Sequence, residues 1–113
     1  MTFRVVLLPR AEADVEANAL WWANHHSAAQ AARWIAVIHE QLKSLAHFPE
    51  RNQLSAENDA FPYEIRDKLL GIGSRPSYRA VITVQDDTVY ILAVRRGAQD
   101  IVHIADIDAP PAV

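Results

Sequence analysis

Two apolar runs separated by a pair of acidic residues constrain this chain more than any other feature. In SYRAVITVQDDTVYILAVRR, residues 77–96, apolar side chains alternate with others on both sides of Asp86 and Asp87. Such alternation around a short polar turn predicts a β-hairpin. Centring the turn between the two aspartates creates one wholly apolar face. Its cross-strand pairs are Val84 with Val89, Ile82 with Ile91, and Ala80 with Ala93.

Arginines lie at the open end of this hairpin. The same register pairs Ser77 with Arg96 and Arg79 with Val94, so the two arginines are diagonal neighbours on the second face. Period-two alternation in YEIRDKLL, residues 63–70, predicts a preceding strand with Arg66 and Lys68 on that face. Arg95 is expected on the other face, at the strand end. We therefore expect four cations on a sheet surface that nothing in this chain covers.

The earlier part of the chain predicts one strand and two helices. FRVVLL, residues 3–8, is a short apolar strand. Helical periodicity follows over residues 10–24 and again over residues 28–46, where Ser27 is the expected N-cap and Pro49 the stop. IVHIADI, residues 101–107, is a candidate last strand.

This order predicts an α+β fold. An N-terminal strand and an antiparallel helical hairpin precede a three- to four-stranded antiparallel sheet, with the helices on one face. One domain is expected over residues 1–106, with a C-terminal tail over residues 107–113.

Composition narrows the class of protein. The chain has 113 residues, no cysteine and a formal net charge of -3. It has no apolar run of the roughly 20 residues that a membrane helix needs, so a cytoplasmic protein is expected. HEQLK, residues 39–43, lacks the second histidine of a zinc-binding HExxH sequence, and we expect neither a metal nor a cofactor.

The predicted basic face suits a phosphate backbone. Guanidinium groups hold phosphate through paired hydrogen bonds, and tyrosines such as Tyr90 can stack on bases. Ordinary solvated arginines and a docking surface for an acidic partner segment remain as alternatives. Residues 63–99 hold six basic side chains: Arg66, Lys68, Arg75, Arg79, Arg95 and Arg96.

The ordered set of motifs resembles a known family. VVLLPRAEADVEA, the FP after the second helix, EIRDKLLG and SYRAVITVQDDTVYILAVRRGAQD resemble the RelE/ParE superfamily of type II toxin–antitoxin toxins, to about residue 102. The resemblance implies one of two activities. RelE-type members cleave mRNA on the ribosome through basic residues, whereas ParE-type members inhibit DNA gyrase without catalysis.

The resemblance also implies residue roles. Arg79 matches the arginine of the family's YR strand, and Arg66 lies where nuclease members carry a basic residue. Gln99 stands where many relatives have a basic side chain, so Arg96 is the expected substitute. No terminal catalytic tyrosine is matched; His103 is the nearest titratable group. The expected catalytic residues are Arg66, Arg79 and Arg96, and the expected RNA-binding residues are Lys68, Arg75, Arg95 and Tyr90.

The sequence thus predicts the toxin of a plasmid-stabilising type II toxin–antitoxin system. Ribosome-dependent mRNA cleavage is the first expectation for its activity. Gyrase inhibition is the alternative, together with a degenerate non-toxic member that only binds an antitoxin. The expected partners are a cognate antitoxin and either the ribosome with its mRNA or DNA gyrase, with no membrane; the chain is also compatible with a homodimer.

Overall fold

The computed structural model describes residues 2–74, 76–97 and 100–111. Five strands and two helices follow one another along the chain. They are β1 (Arg4–Leu7), α1 (Pro9–His25), α2 (Ala28–Lys43), β2 (Gln53–Leu54), β3 (Arg66–Leu70), β4 (Tyr78–Gln85) and β5 (Thr88–Arg95). The α+β fold is confirmed. The candidate last strand is wrong, because this segment contains only a short 3-10 helix, Ile104–Asp106.

The helical hairpin forms as its sequence signals predict. Pro9 occupies the first turn of α1, where its missing N–H leaves no helical hydrogen bond unmade. The Ser27 hydroxyl accepts a hydrogen bond from the Gln30 N–H at 3.1 Å and so caps α2. A 3-10 turn, Ser44–Ala46, extends α2 before Pro49. Neither helix in the described ranges is long and apolar enough to cross a membrane.

The strands form one mixed sheet in the order β1-β5-β4-β3-β2. The pairs β2–β3, β3–β4 and β4–β5 are antiparallel, and β1 pairs with β5 in parallel. One hydrophobic cluster lies between the sheet and the helices, where Trp34, Ile38 and Leu42 of α2 pack on Ile82 and Ile91. The sheet therefore holds the helical hairpin on one of its faces.

A second hydrophobic cluster covers the other face. Val81, Leu92 and Ala93 pack there against Phe61 and Val102, which come from the loop before β3 and from the C-terminal segment. The expectation that nothing in this chain covers that face is wrong. Its apolar side chains would be exposed without a cover, and these two segments bury them.

A β-bulge changes the predicted hairpin register. Near the turn the pairs are as predicted, with Val84 opposite Val89 and Ile82 opposite Ile91. Leu92 is then an extra residue, because Val81 pairs with Ala93 and Arg79 with Arg95. One extra residue reverses which face each later side chain of β5 occupies. The open end of the hairpin is therefore built differently from the prediction.

Candidate functional site

Arg79 lies buried at the centre of the predicted basic site and binds several groups of the chain at once. We call this set of contacts the Arg79 clamp. Only 4% of the surface of Arg79 is exposed. Its guanidinium lies 2.8 Å from a Glu57 carboxylate oxygen and 3.1 Å from both oxygens of Asp67. It also donates to the Ser55 hydroxyl at 3.2 Å. The expectation of an exposed Arg79 is wrong, since carboxylates of this chain already occupy its donors.

The same guanidinium ties the C-terminal segment to the sheet. It donates from Nη2 to the Asp100 carbonyl at 3.0 Å and from Nε to the Gly97 carbonyl at 3.3 Å. Burial raises the pKa of the Asp67 carboxyl above its usual 3.8, and the nearby Arg79 charge opposes that rise only in part. Two carboxylates therefore share one cation in a poorly solvated place.

Arg66 and Lys68 lie on the helical side of the sheet, contrary to prediction. Arg66 pairs with Ile82 and Lys68 with Ala80, and both partners belong to the cluster under the helices. The Arg66 guanidinium is 2.7 Å from a Glu64 carboxylate oxygen and also donates to the Asn52 carbonyl at 2.7 Å. The prediction assumed that the apolar side chains of this strand face the helices. Ile65 instead packs into the second cluster, on the other face of the sheet.

Arg95 and Arg96 exchange the predicted faces because of the bulge. Arg95 now lies opposite Arg79, between Asp14 at 3.9 Å and Asp100 at 3.8 Å. Burial raises the pKa of the Asp14 carboxyl, although a hydrogen bond from the Val94 N–H and the Arg95 charge favour its ionised form. Arg96 turns toward α1. The predicted pairing of Arg96 with the other cations on the second face is therefore wrong.

Tyr90 and Arg75 are the remaining residues that the sequence assigned to RNA binding. Tyr90 is half-buried and packs against the second cluster. Arg75 and Gln99 lie outside the described residues. No group of three or more His, Asp or Glu side chains in the described ranges is placed to hold a metal ion. The roles assigned to Arg66, Arg79 and Arg96 stay predictions, although the three do not share one exposed surface.

An aromatic and cationic cluster at the end of α1 is the second candidate site. The Arg96 guanidinium lies 4.3 Å from the centre of the Trp21 ring. The His25 ring stacks on the same indole at 4.4 Å, and His26 lies 5.6 Å from it. Leu20, which precedes Trp21 in α1, is exposed. We call Leu20, Trp21, His25, His26 and Arg96 the Trp21 cluster.

Sequence reasoning missed most of this cluster. Trp21 and Trp22 are both half-buried, and Trp22 packs against the cluster under the helices. The spacing of four residues between Trp21 and His25 on one helix signals their contact. The position of Arg96 has no comparable signal, because it depends on the bulge.

The fold and these sites define a small α+β protein whose accessible features suit contact with another macromolecule. A model of the family described as "ParE toxin of type II toxin-antitoxin system, parDE" matches residues 5–101. The chain belongs to the ParE toxin family of type II toxin–antitoxin systems. This finding confirms the predicted superfamily and leaves the mechanism open.

A solved structure supports the same fold. A chromosomal ParDE toxin–antitoxin system from P. aeruginosa contains a chain similar to this one, with a TM-score of 0.70 and 20% sequence identity. The match covers 85% of this chain and 97% of that chain. At this identity the likeness concerns the fold alone. No curated protein sequence matches the chain.

Proposed function

We propose that this chain is a toxin that arrests growth by binding DNA gyrase, without catalysing a reaction itself. The observation that carries this proposal is the engagement of Arg79 by Glu57 and Asp67. Membership of the ParE toxin family supports gyrase inhibition, and the ion pairs of the arginines weigh against the mRNA cleavage that the sequence first suggested.

The contacts of Arg79 oppose phosphate binding. An incoming phosphate would have to displace two carboxylates and reach an arginine whose side chain is only 4% exposed. Leaving these two half-buried carboxylates without their buried cation is unfavourable, since breaking a fully buried pair costs about 3–5 kcal/mol. The arrangement therefore supports a structural role for Arg79.

The positions of the other arginines also weigh against a shared phosphate site. Arg66 lies opposite Ile82 on the helical side, whereas Arg79 lies three residues before Ile82 in β4, on the second face. Arg96 contacts Trp21 of α1. Three residues of a strand span about 10 Å, so these groups do not converge as they would have to around one reacting phosphate.

The Trp21 cluster supplies a surface suited to a protein target. Tryptophan and arginine are the side chains that most often dominate the binding energy of protein interfaces. The Trp21 indole contacts an arginine and a histidine, and the preceding residue of α1, Leu20, is an exposed apolar side chain. We therefore assign contact with gyrase to this end of the helical hairpin.

The toxin role implies a protein partner that silences it. A cognate antitoxin would bind this chain in the cytoplasm and prevent contact with the target, as the type II systems of its family imply. The alternative is a degenerate chain that binds the antitoxin but is not toxic. Expression of such a chain would not affect growth. A homodimer is compatible with either role.

The first experiment compares supercoiling by purified DNA gyrase with and without the purified chain. We expect the chain to inhibit supercoiling, and Trp21→Ala to raise the concentration needed at least tenfold because the central aromatic contact is lost. Arg33→Gln, which changes an exposed arginine of α2, is the matched control and should inhibit like the original chain.

Mapping of mRNA 5′ ends after inducible expression tests the other mechanism. We expect no new codon-positioned ends. New ends that disappear in Arg66→Gln or Arg96→Gln variants, together with unaffected gyrase, would establish mRNA cleavage and overturn the proposal. Normal growth with neither effect would identify the degenerate alternative.

A further inference from the structure

A groove runs along the outer edge of β3, on the side away from β4. Two adjoining clefts of about 350 and 280 Å³ share Arg51, Asn52 and Lys68 in their walls. Leu54 and Leu69 line the larger cleft, and Phe48 lines the smaller one. We call these two clefts the β3-edge groove. Neither the Trp21 cluster nor the Arg79 clamp accounts for it.

The backbone of the sheet is open in this groove. The two residues of β2 pair only with Arg66 and Asp67 of β3. Over the described parts of the chain, no strand pairs with the outer side of Lys68–Leu70. Backbone N–H and C=O groups alternate in direction along a strand, so this stretch presents hydrogen-bonding groups outward.

Apolar side chains are unusually exposed around the same edge. Phe48 is 68% exposed, Leu69 is 62% exposed and Leu54 is 49% exposed. Phe48 also has a left-handed backbone with φ of 50°, a conformation that costs a residue with a bulky side chain about 1 kcal/mol or more. Strain that holds an aromatic side chain in water is typical of a binding site.

The charge of the groove is positive. Arg51 lies 4.8 Å from the Phe48 ring centre, and neither Arg51 nor Lys68 forms an ion pair with any carboxylate in the described ranges. Asp67 is the one acidic side chain that lines the two clefts, and Arg79 already binds it. An incoming acidic group would therefore meet two cations whose charge is not compensated locally.

We propose that the β3-edge groove binds an extended segment of a partner protein in which acidic and aliphatic side chains alternate. The segment adds a strand to the outer edge of β3, as peptides do on other open sheet edges. Its aliphatic side chains pack on Leu69, which lies on the second face opposite Arg79. Its carboxylates point to the other face and approach Lys68 and Arg51. An open strand backbone beside leucines fits a peptide better than a nucleic acid.

The test uses the full chain and a short synthetic peptide of alternating Glu and Val with blocked ends. Fluorescence anisotropy of the labelled peptide measures binding. We expect its affinity to exceed that of a Lys-Val peptide at least tenfold, and N-methylation of alternate peptide nitrogens to weaken it at least tenfold. The first ratio reports charge complementarity, and the second reports pairing with the backbone of β3.

Variants of the chain locate the binding site. Arg51→Glu combined with Lys68→Glu, and separately Leu69→Lys, should each weaken binding of the Glu-Val peptide at least tenfold. Arg33→Glu removes an exposed cation on α2 and is the matched control for charge. Leu69 and both cations are solvent-accessible, so these variants should keep the circular dichroism spectrum of the original chain.

Several outcomes would overturn the proposal. They are equal binding of the Lys-Val peptide, an equal loss with Arg33→Glu, and preferential binding of single-stranded RNA that the groove variants abolish. Self-association that Leu69→Lys removes would instead identify a second copy as the occupant. The gyrase assay is independent, because the groove variants leave the Trp21 cluster unchanged and should still inhibit supercoiling.

Discussion

At the scale of residues, Arg79 links parts of the chain that are distant in sequence. Its acceptors come from the loop at Ser55 and Glu57, from Asp67 in β3, and from the carbonyls of Gly97 and Asp100. A buried cation with this many partners is stabilising only while all of them remain in place. Removing Arg79 should therefore lower the free energy of unfolding by more than the same ion pairs would contribute if they lay on the protein surface.

Substitution of Arg79 by methionine should lower the free energy of unfolding by about 3–5 kcal/mol, because Glu57 and Asp67 lose their cation. Equilibrium denaturation with urea measures this change. The triple variant Arg79→Met, Glu57→Gln and Asp67→Asn removes the charges together and should recover at least half of the loss. Equal instability of the single and triple variants would contradict the clamp.

Asp67 should make stability depend on pH in a defined direction. Its pKa is raised in the folded protein, so it contributes stability that is complete below about pH 3.8, its ordinary value, and is lost as pH rises through the folded pKa. The amide of Asp67→Asn stays neutral. The stability of the original chain relative to this variant should therefore fall as pH rises above about 3.8.

Urea denaturation of both proteins between pH 3 and pH 7 measures that difference. Asp59→Asn removes one exposed negative charge from the loop before β3 and controls for the change in net charge. If the original chain instead became more stable than Asp67→Asn as pH rises, the charge of Arg79 would outweigh the effect of burial on Asp67.

At the scale of elements, local signals predicted the secondary structure well. The helices begin and end close to the predicted residues because Pro9, Ser27 and Pro49 act on their own neighbourhoods. The hairpin turn is also as predicted, with Asp86 in the left-handed conformation that aspartate tolerates.

The site was predicted less well because its geometry depends on one extra residue. Nothing local marks Leu92 as bulged, since Leu92 and Ala93 are both apolar and both pack into the second cluster. The period-two rule cannot anticipate such an insertion, and it therefore placed Arg96 on the wrong face. The prediction that Arg96 joins an exposed cationic surface followed from that assumed register.

At the scale of the whole molecule, the central strands β4 and β5 are buried on both faces over most of their length. The helical hairpin covers one face, and the C-terminal segment with the loop before β3 covers the other. The sequence concealed the second layer, because IVHIADI resembles a strand yet supplies Val102 and Ile107 as separate apolar contacts. We infer that the two layers unfold together, since each packs on the same strands.

Val102→Ala tests this coupling. Val102 is buried in the second cluster, whereas all three tryptophans belong to α1 or α2. Removing its methyl groups should lower the free energy of unfolding by about 2 kcal/mol. Tryptophan fluorescence and far-ultraviolet circular dichroism should show the same shift of the urea midpoint, because a cooperative molecule transmits the loss to both layers.

Ile104→Ala is the matched control in the same segment. Ile104 is exposed, so this variant should change the free energy of unfolding by no more than about 0.5 kcal/mol. If Val102→Ala left the fluorescence midpoint unchanged, the C-terminal segment would unfold separately from the helical layer. The Arg79 clamp would then join two units with independent stabilities, and one sheet would not form their common core.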